Sequence, residues 1–138
     1  MEIMLNNGTD LLDQTRAQLS TGAFSAGLNS LALGLQQLRT GLSPERWEQF
    51  IQAQVLPHPV TRLIHQSPFT GRAFNKPRGY PGDAVTLDFI YGGLPVTQEE
   101  YGIGADLYHQ CEYETPSCRS VRARRDLLRR KLMLSPDK

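Results

Sequence analysis

Apolar residues recur along most of the chain at spacings of three and four, which is the period of an amphipathic α-helix. The clearest case predicts a helix over residues 23–40 that is closed by Gly41. Its apolar stripe, which we expect to lie in the core, consists of Phe24, Leu28, Leu31, Leu35 and Leu38. No stretch shows the strict alternation of a β-strand. The pattern predicts an all-α fold, a single compact domain of about seven helices joined by short links.

Capping signals mark where these helices begin. Three pairs place a hydroxyl at the N-cap and a proline in the first helical position: Ser43-Pro44, Ser67-Pro68 and Thr115-Pro116. Thr97 followed by Glu100 predicts a capping box. The first helix is predicted from Leu11 to Leu19 with Thr9 as its N-cap, and residues 1–8 are predicted to fray.

One loop, Asn75–Asp83, cannot be explained by helical periodicity. Its two prolines and two glycines predict a stiff, bent backbone. It carries a guanidinium, a phenol and a carboxylate in Arg78, Tyr80 and Asp83, which makes it the candidate functional feature of the chain. A purely structural interpretation is equally open. In that case Asp83 caps the helix predicted over 84–91, Arg78 pairs with a carboxylate and Tyr80 packs.

Charge is distributed unevenly along the chain. The net charge is +1 over 138 residues, but from Pro116 onward six Arg and two Lys face two Asp, which gives +6 and leaves −5 for the remainder. We therefore predict a basic C-terminal helix over 116–134, with an apolar stripe at Val121, Leu128 and Leu132. Its arginines could form a solvated face or local ion pairs. Nucleic-acid binding is disfavoured, because the body is acidic and few aromatic residues interleave the arginines.

Several classes of chemistry are missing from the sequence. No nucleophile-elbow, zinc-protease or phosphate-loop motif occurs, so we expect no catalytic residue and no metal ligand. Cys111 and Cys118 are predicted to be reduced thiols. No apolar run is long enough to span a membrane, and the polar N-terminus is unlike a signal peptide, which favours the cytoplasm.

Three stretches together resemble a known family. They are FNKPRGYPGD at 74–83, LDFIYG at 87–92 and SVRARRDLL at 120–128. The combination is similar to the N-terminal helical region of certain bacterial class I S-adenosylmethionine-dependent methyltransferases, in which a KPRGY-x-GD loop and an R-x-RR helix precede a Rossmann-like domain. The resemblance covers about Pro57 to Leu132. It implies a helical cap or substrate-recognition domain for a small-molecule substrate, not catalytic on its own.

The resemblance also implies site residues and a partner. The residues expected to face substrate or cofactor are Arg78, Tyr80, Asp83, Tyr91, Arg122, Arg124 and Arg125. The glycine-rich turn and the acidic residue that hold the cofactor in such folds do not occur here, so S-adenosylmethionine is expected only in a full-length enzyme. The Rossmann-like domain would then be supplied in cis or in trans. The alternative is a free-standing helical dimerisation or regulatory module that associates through an exposed leucine stripe.

Overall fold

The computed structural model describes the backbone of residues 2–134 and the side chains of residues 7–133. Within that range every regular element is helical, so the predicted all-α class is confirmed. In chain order the helices are α1 (Glu2–Ser20), α2 (Phe24–Gly41), α3 (Pro44–Phe50), α4 (Pro59–Ile64), α5 (Pro68–Asn75), α6 (Ala84–Tyr91), α7 (Gln98–Tyr101), α8 (Ile103–Leu107) and α9 (Pro116–Leu134). π-Helical turns continue α3 over Ile51–Val55 and α8 over Tyr108–Glu112. None of the helices in this range combines the length and the apolar character that a bilayer-spanning segment requires.

The predicted helix starts agree with the structure, apart from the first. Four hydroxyls accept a hydrogen bond of 3.2–3.3 Å from the N–H three residues on, those of Ser43, Ser67, Thr97 and Thr115. The start of the first helix was predicted wrongly, because α1 begins at Glu2 and includes Thr9. Residues 2–8, predicted to fray, are helical, and Met1 lies outside the described residues. Packing explains the difference: a Cβ on Gly8 would lie 2.6 Å from Cε2 of Phe50, so this glycine permits close contact.

The chain divides into two compact units between Gln66 and Ser67, and a single domain over 1–138 stays a prediction. The first unit contains α1–α4. Its buried apolar residues are Leu12, Leu19, Leu31, Leu38, Leu42, Phe50 and Val60. Of the stripe predicted for α2, Leu31 and Leu38 are buried, whereas Phe24, Leu28 and Leu35 are only half-buried. A dimer formed through Leu31 would require this core to open.

The second unit contains α5–α9 and positions the loop of interest. Its core consists of Phe89, Val96, Ala105 and Tyr108. The Tyr108 hydroxyl donates a hydrogen bond to the carbonyl of Phe89, and burial raises the pKa of Tyr108 to about 12. The chain bends between α7 and α8 at Gly102, whose φ is +58°. Helix α6 follows directly after the loop of interest, and α9 packs along α6.

Candidate functional site

A buried carboxylate lies at the base of the candidate loop. The Asp83 side chain is only 1% exposed, and Arg72 Nε donates to its two oxygens at 2.9 and 3.1 Å. Arg72 Nη2 donates to Oδ2 as well. The backbone N–H and the hydroxyl of Thr86 both donate to Oδ1, at 2.9 and 2.8 Å. Asp83 therefore caps α6, as predicted, and also joins α6 to α5 through Arg72.

The ionised form of Asp83 is strongly favoured in this arrangement. Hydrogen bonds from the Arg72 guanidinium are the main cause that holds the pKa of Asp83 well below its ordinary value. Burial of the carboxyl group raises this pKa, whereas the two hydrogen bonds from Thr86 lower it, as those from Arg72 do. We refer to Asp83, Arg72 and Thr86 as the Asp83 clamp.

The backbone of the loop is fixed where it leaves α5. Lys76 adopts the left-handed conformation that ends this helix, with φ +47°, and its N–H donates to the carbonyl of Arg72 at 2.9 Å. The N–H of Gly79 then donates to the carbonyl of Lys76 at 2.8 Å. Gly79 has a φ of +88°, a conformation that favours glycine between Arg78 and Tyr80. The loop is thus a defined turn tied to the frame at both ends.

Two of the predicted loop residues reach solvent, and the third does not. The side chain of Arg78 is 55% exposed, and its Nε lies 3.8 Å from Asp83 Oδ2, a loose ion pair. Tyr80 is 52% exposed, as is Phe74 near the end of α5. Asp83 faces the frame, so its predicted position toward substrate is corrected: its oxygens are occupied by Arg72 and Thr86. The loop therefore presents a cation and one aromatic ring to solvent, next to a buried anion.

The three predicted arginines of α9 occupy different environments. Arg122 places its guanidinium 3.7 Å from the centre of the Tyr113 ring and donates to the carbonyl of Ile90 at 2.9 Å. Arg125 lies 4.8 Å above the ring of Tyr91 and donates to Asp126 at 3.3 Å. Arg124 is exposed. Arg122 thus fastens α9 to the end of α6. Arg125 covers an aromatic ring, and Arg124 is open to solvent.

The predicted site residues consequently form two groups. Arg78, Tyr80 and Asp83 lie at the start of α6, whereas Tyr91 and Arg122 lie at its end. A groove runs along α6 and α9 on the side of the second group and has a volume of about 440 Å³. It is lined by Leu87, Tyr91, Val121, Arg124, Arg125, Leu128, Arg129 and Leu132. A single cleft containing all seven predicted residues is not what the geometry shows.

A second acid, Glu112, is half-buried and carries no recognisable signal in the local sequence. Glu112 accepts a hydrogen bond of 2.5 Å from Ser67 Oγ and another from Thr70 Oγ1. Burial raises the pKa of Glu112, and the two hydroxyl bonds offset part of that effect. Ser67 was recognisable as a cap, but no local signal connects it with a carboxylate 45 residues away.

Glu112→Gln is expected to remove a pH dependence of stability. A raised pKa means that the folded state holds its proton at pH values where the unfolded chain has lost it, so stability falls as pH rises above the ordinary glutamate pKa. Between pH 4 and pH 7 the melting temperature of the variant should therefore improve relative to the wild type. Thermal melts at both pH values would test this, with the exposed Glu114→Gln as control. An equal difference at both pH values would contradict the assignment.

Cysteine, histidine and acidic side chains are the remaining groups that could carry chemistry. Within the part of the chain whose side chains are described, no group of three or more His, Cys, Asp or Glu residues could hold a metal ion. Cys111 and Cys118 are both reduced cysteines, as predicted. His58 caps α4 through Nδ1 and contacts Asp13 through Nε2 at 2.7 Å. Comparison with family models, curated proteins and solved structures gives no match to this chain.

Proposed function

We propose that this chain is the helical cap or substrate-recognition region of an S-adenosylmethionine-dependent small-molecule methyltransferase, and that it is not catalytic on its own. One observation carries the proposal. Arg78 and Tyr80 are about half exposed on a loop whose base is fixed by the buried Asp83 clamp. A recognition loop benefits from such a base, because little conformational freedom remains to be lost when a ligand binds. The sequence resemblance supplies the reaction class.

The loop chemistry favours a substrate with an anionic group beside an apolar or aromatic part. A guanidinium can donate two parallel hydrogen bonds to a carboxylate or a phosphate. Asp83 Oδ2 is already bonded to Arg72, so the 3.8 Å contact leaves most of the donors of Arg78 available. The ring of Tyr80 adds apolar surface, and its hydroxyl adds a polar tip.

Cofactor binding and methyl transfer belong, in this proposal, to a Rossmann-like domain in cis or in trans. The regular elements of the described residues are all helices, whereas the S-adenosylmethionine site of such enzymes follows a β-strand. The chain would contribute the loop and would orient the methyl acceptor. The proposal includes a cytoplasmic setting.

Arg78→Ala is the direct test. The native protein that carries this chain would be purified through an antibody to it and incubated with labelled S-adenosylmethionine and a small-molecule extract of its source cells. We expect the variant to lose roughly tenfold to a hundredfold in kcat/KM, the usual effect of removing a charged hydrogen bond to substrate. Its melting temperature should stay within about 2 °C of the wild type, because only a loose, exposed ion pair is lost.

A matched control is Arg119→Ala. Arg119 is also exposed and ion-paired, to Glu114 at 2.8 Å, but lies on α9 away from the loop. This variant should retain full activity. Methyl transfer unaffected by Arg78→Ala would refute the substrate role of the loop. A native protein that binds no S-adenosylmethionine would refute the reaction class.

The second candidate is a helical interaction module. It is favoured by the exposure of Leu128 and Leu132, at 56% and 58%, in the groove between α6 and α9. Large apolar side chains grouped on a surface are typical of an interface. In this case the arginines of α9 would select a protein partner instead of a small molecule.

A further inference from the structure

The groove between α6 and α9 exposes apolar side chains that the fold leaves uncovered. Leu87, Leu128 and Leu132 are 38%, 56% and 58% exposed and line the same groove. Leu128 and Leu132 lie one turn apart on α9, so they form a continuous apolar strip. We propose that this groove is the docking site for an amphipathic helix of a partner protein that carries acidic residues beside its apolar face.

The dimensions of the groove fit a short helix. The strip from Val121 to Leu132 spans about 16 Å along α9, or roughly three helical turns. A helix laid into such a groove presents apolar anchors at spacings of three, four and seven residues. An occupant of this kind would cover the three exposed leucines with one face.

The charges around the groove specify an acidic occupant. Arg124, Arg125 and Arg129 line it together with the leucines. Long arginine side chains can cover apolar surface with their stems while the guanidinium stays at the rim. Of these three, Arg125 is bonded to the neighbouring Asp126. Carboxylates on the occupant would complement this positive rim, which steers association and sets specificity.

Other occupants fit the same surface less well. A second copy bound through the same face would bring arginines against arginines across a two-fold axis. A lipid surface takes the convex side of an amphipathic helix, whereas these leucines line a concave groove between two helices. A nucleic acid would satisfy the guanidiniums but would offer little to the exposed leucines. This inference does not depend on the proposed methyltransferase function.

The test uses two synthetic helical peptides of about 18 residues with identical leucines at spacings of three and four. One carries glutamates beside the leucine face, and the other carries lysines. Fluorescence anisotropy with the full chain should show the glutamate peptide binding at least roughly tenfold more tightly than the lysine peptide, with a preference that weakens as salt is added. The double variant Arg124→Glu and Arg129→Glu should reverse that preference.

Leucine variants locate the binding surface. Leu128→Ser and Leu132→Ser should each weaken binding of the glutamate peptide roughly tenfold, as expected for an anchor residue. The matched control is Leu127→Ser, because Leu127 is also 56% exposed on α9 but does not line the groove. Equal binding of both peptides, no binding, or equal effects of all three variants would overturn the proposal. So would Leu128-dependent binding to anionic vesicles or single-stranded DNA, or Leu128-dependent dimerisation in light scattering, without peptide binding.

Discussion

Asp83→Ala is expected to lower the melting temperature by about 10 °C or more, the largest effect of any substitution in the loop. The variant removes the N-cap of α6 and leaves the Arg72 guanidinium without its carboxylate. Both losses occur at a side chain that is 1% exposed, where water cannot fully replace the missing partner. Thermal unfolding followed by circular dichroism at pH 7 would measure the change. Asp88→Asn, on the exposed side of the same helix, should leave it nearly unchanged.

The same variant has an expected pH signature. Because the pKa of Asp83 is lowered in the folded state, its contribution to stability is present above the ordinary aspartate pKa and decreases as pH falls below it. The difference between wild type and variant should therefore shrink on acidification. A double variant that also replaces Arg72 by methionine should lose less than the sum of the single variants. Additive losses, or a difference independent of pH, would contradict the clamp.

Arg122→Ala should destabilise the second unit by about 2 kcal/mol, from the loss of a cation–π contact and a charged hydrogen bond. The contacts concerned are with the Tyr113 ring at 3.7 Å and with the Ile90 carbonyl at 2.9 Å. Arg122→Lys should recover only part of the loss, since an ammonium lacks the planar fork that serves both partners. Denaturant unfolding would give the free energies.

Arg124→Ala is the matched control for this arginine. It lies two positions away on α9 and is exposed, so its removal should change the free energy of unfolding by less than about 0.5 kcal/mol. Equal effects of the two substitutions would show that Arg122 does not fasten α9 to α6. If only Arg122→Ala lowers the free energy of unfolding, Arg122 stabilises the fold and Arg124 remains available for binding.

Helix starts were predictable because capping acts over three residues. Ser43, Ser67, Thr97 and Thr115 each bond an N–H within that distance, so the neighbouring sequence contains the whole signal. The early start of α1 was not predictable in this way. There, Gly8 packs against Phe50, a residue of another helix, and tertiary contact outweighs a polar, helix-poor local sequence.

The loop shows the same limit within one site. Its composition singled out Arg78, Tyr80 and Asp83 and the capping role of Asp83, but not which side chain faces inward. That choice depends on Arg72, which lies on the preceding helix and donates to both oxygens of Asp83. An ion pair between two helices leaves no periodic trace in a sequence. The π-helical turns and the bonds between Ser67 and Glu112 were missed for the same reason.

The Asp83 clamp also has a consequence for how this surface could change over generations. The residues that stabilise the turn are Arg72, Asp83 and Thr86, whereas the half-exposed side chains above it are Arg78 and Tyr80. The residues that stabilise the turn are therefore different from the residues that the proposed function assigns to ligand binding. Under that proposal, mutations at 78 and 80 could change the ligand at little thermodynamic risk, since exposed substitutions usually alter the free energy of unfolding by under about 0.5 kcal/mol. Such changes would leave the Asp83 clamp in place.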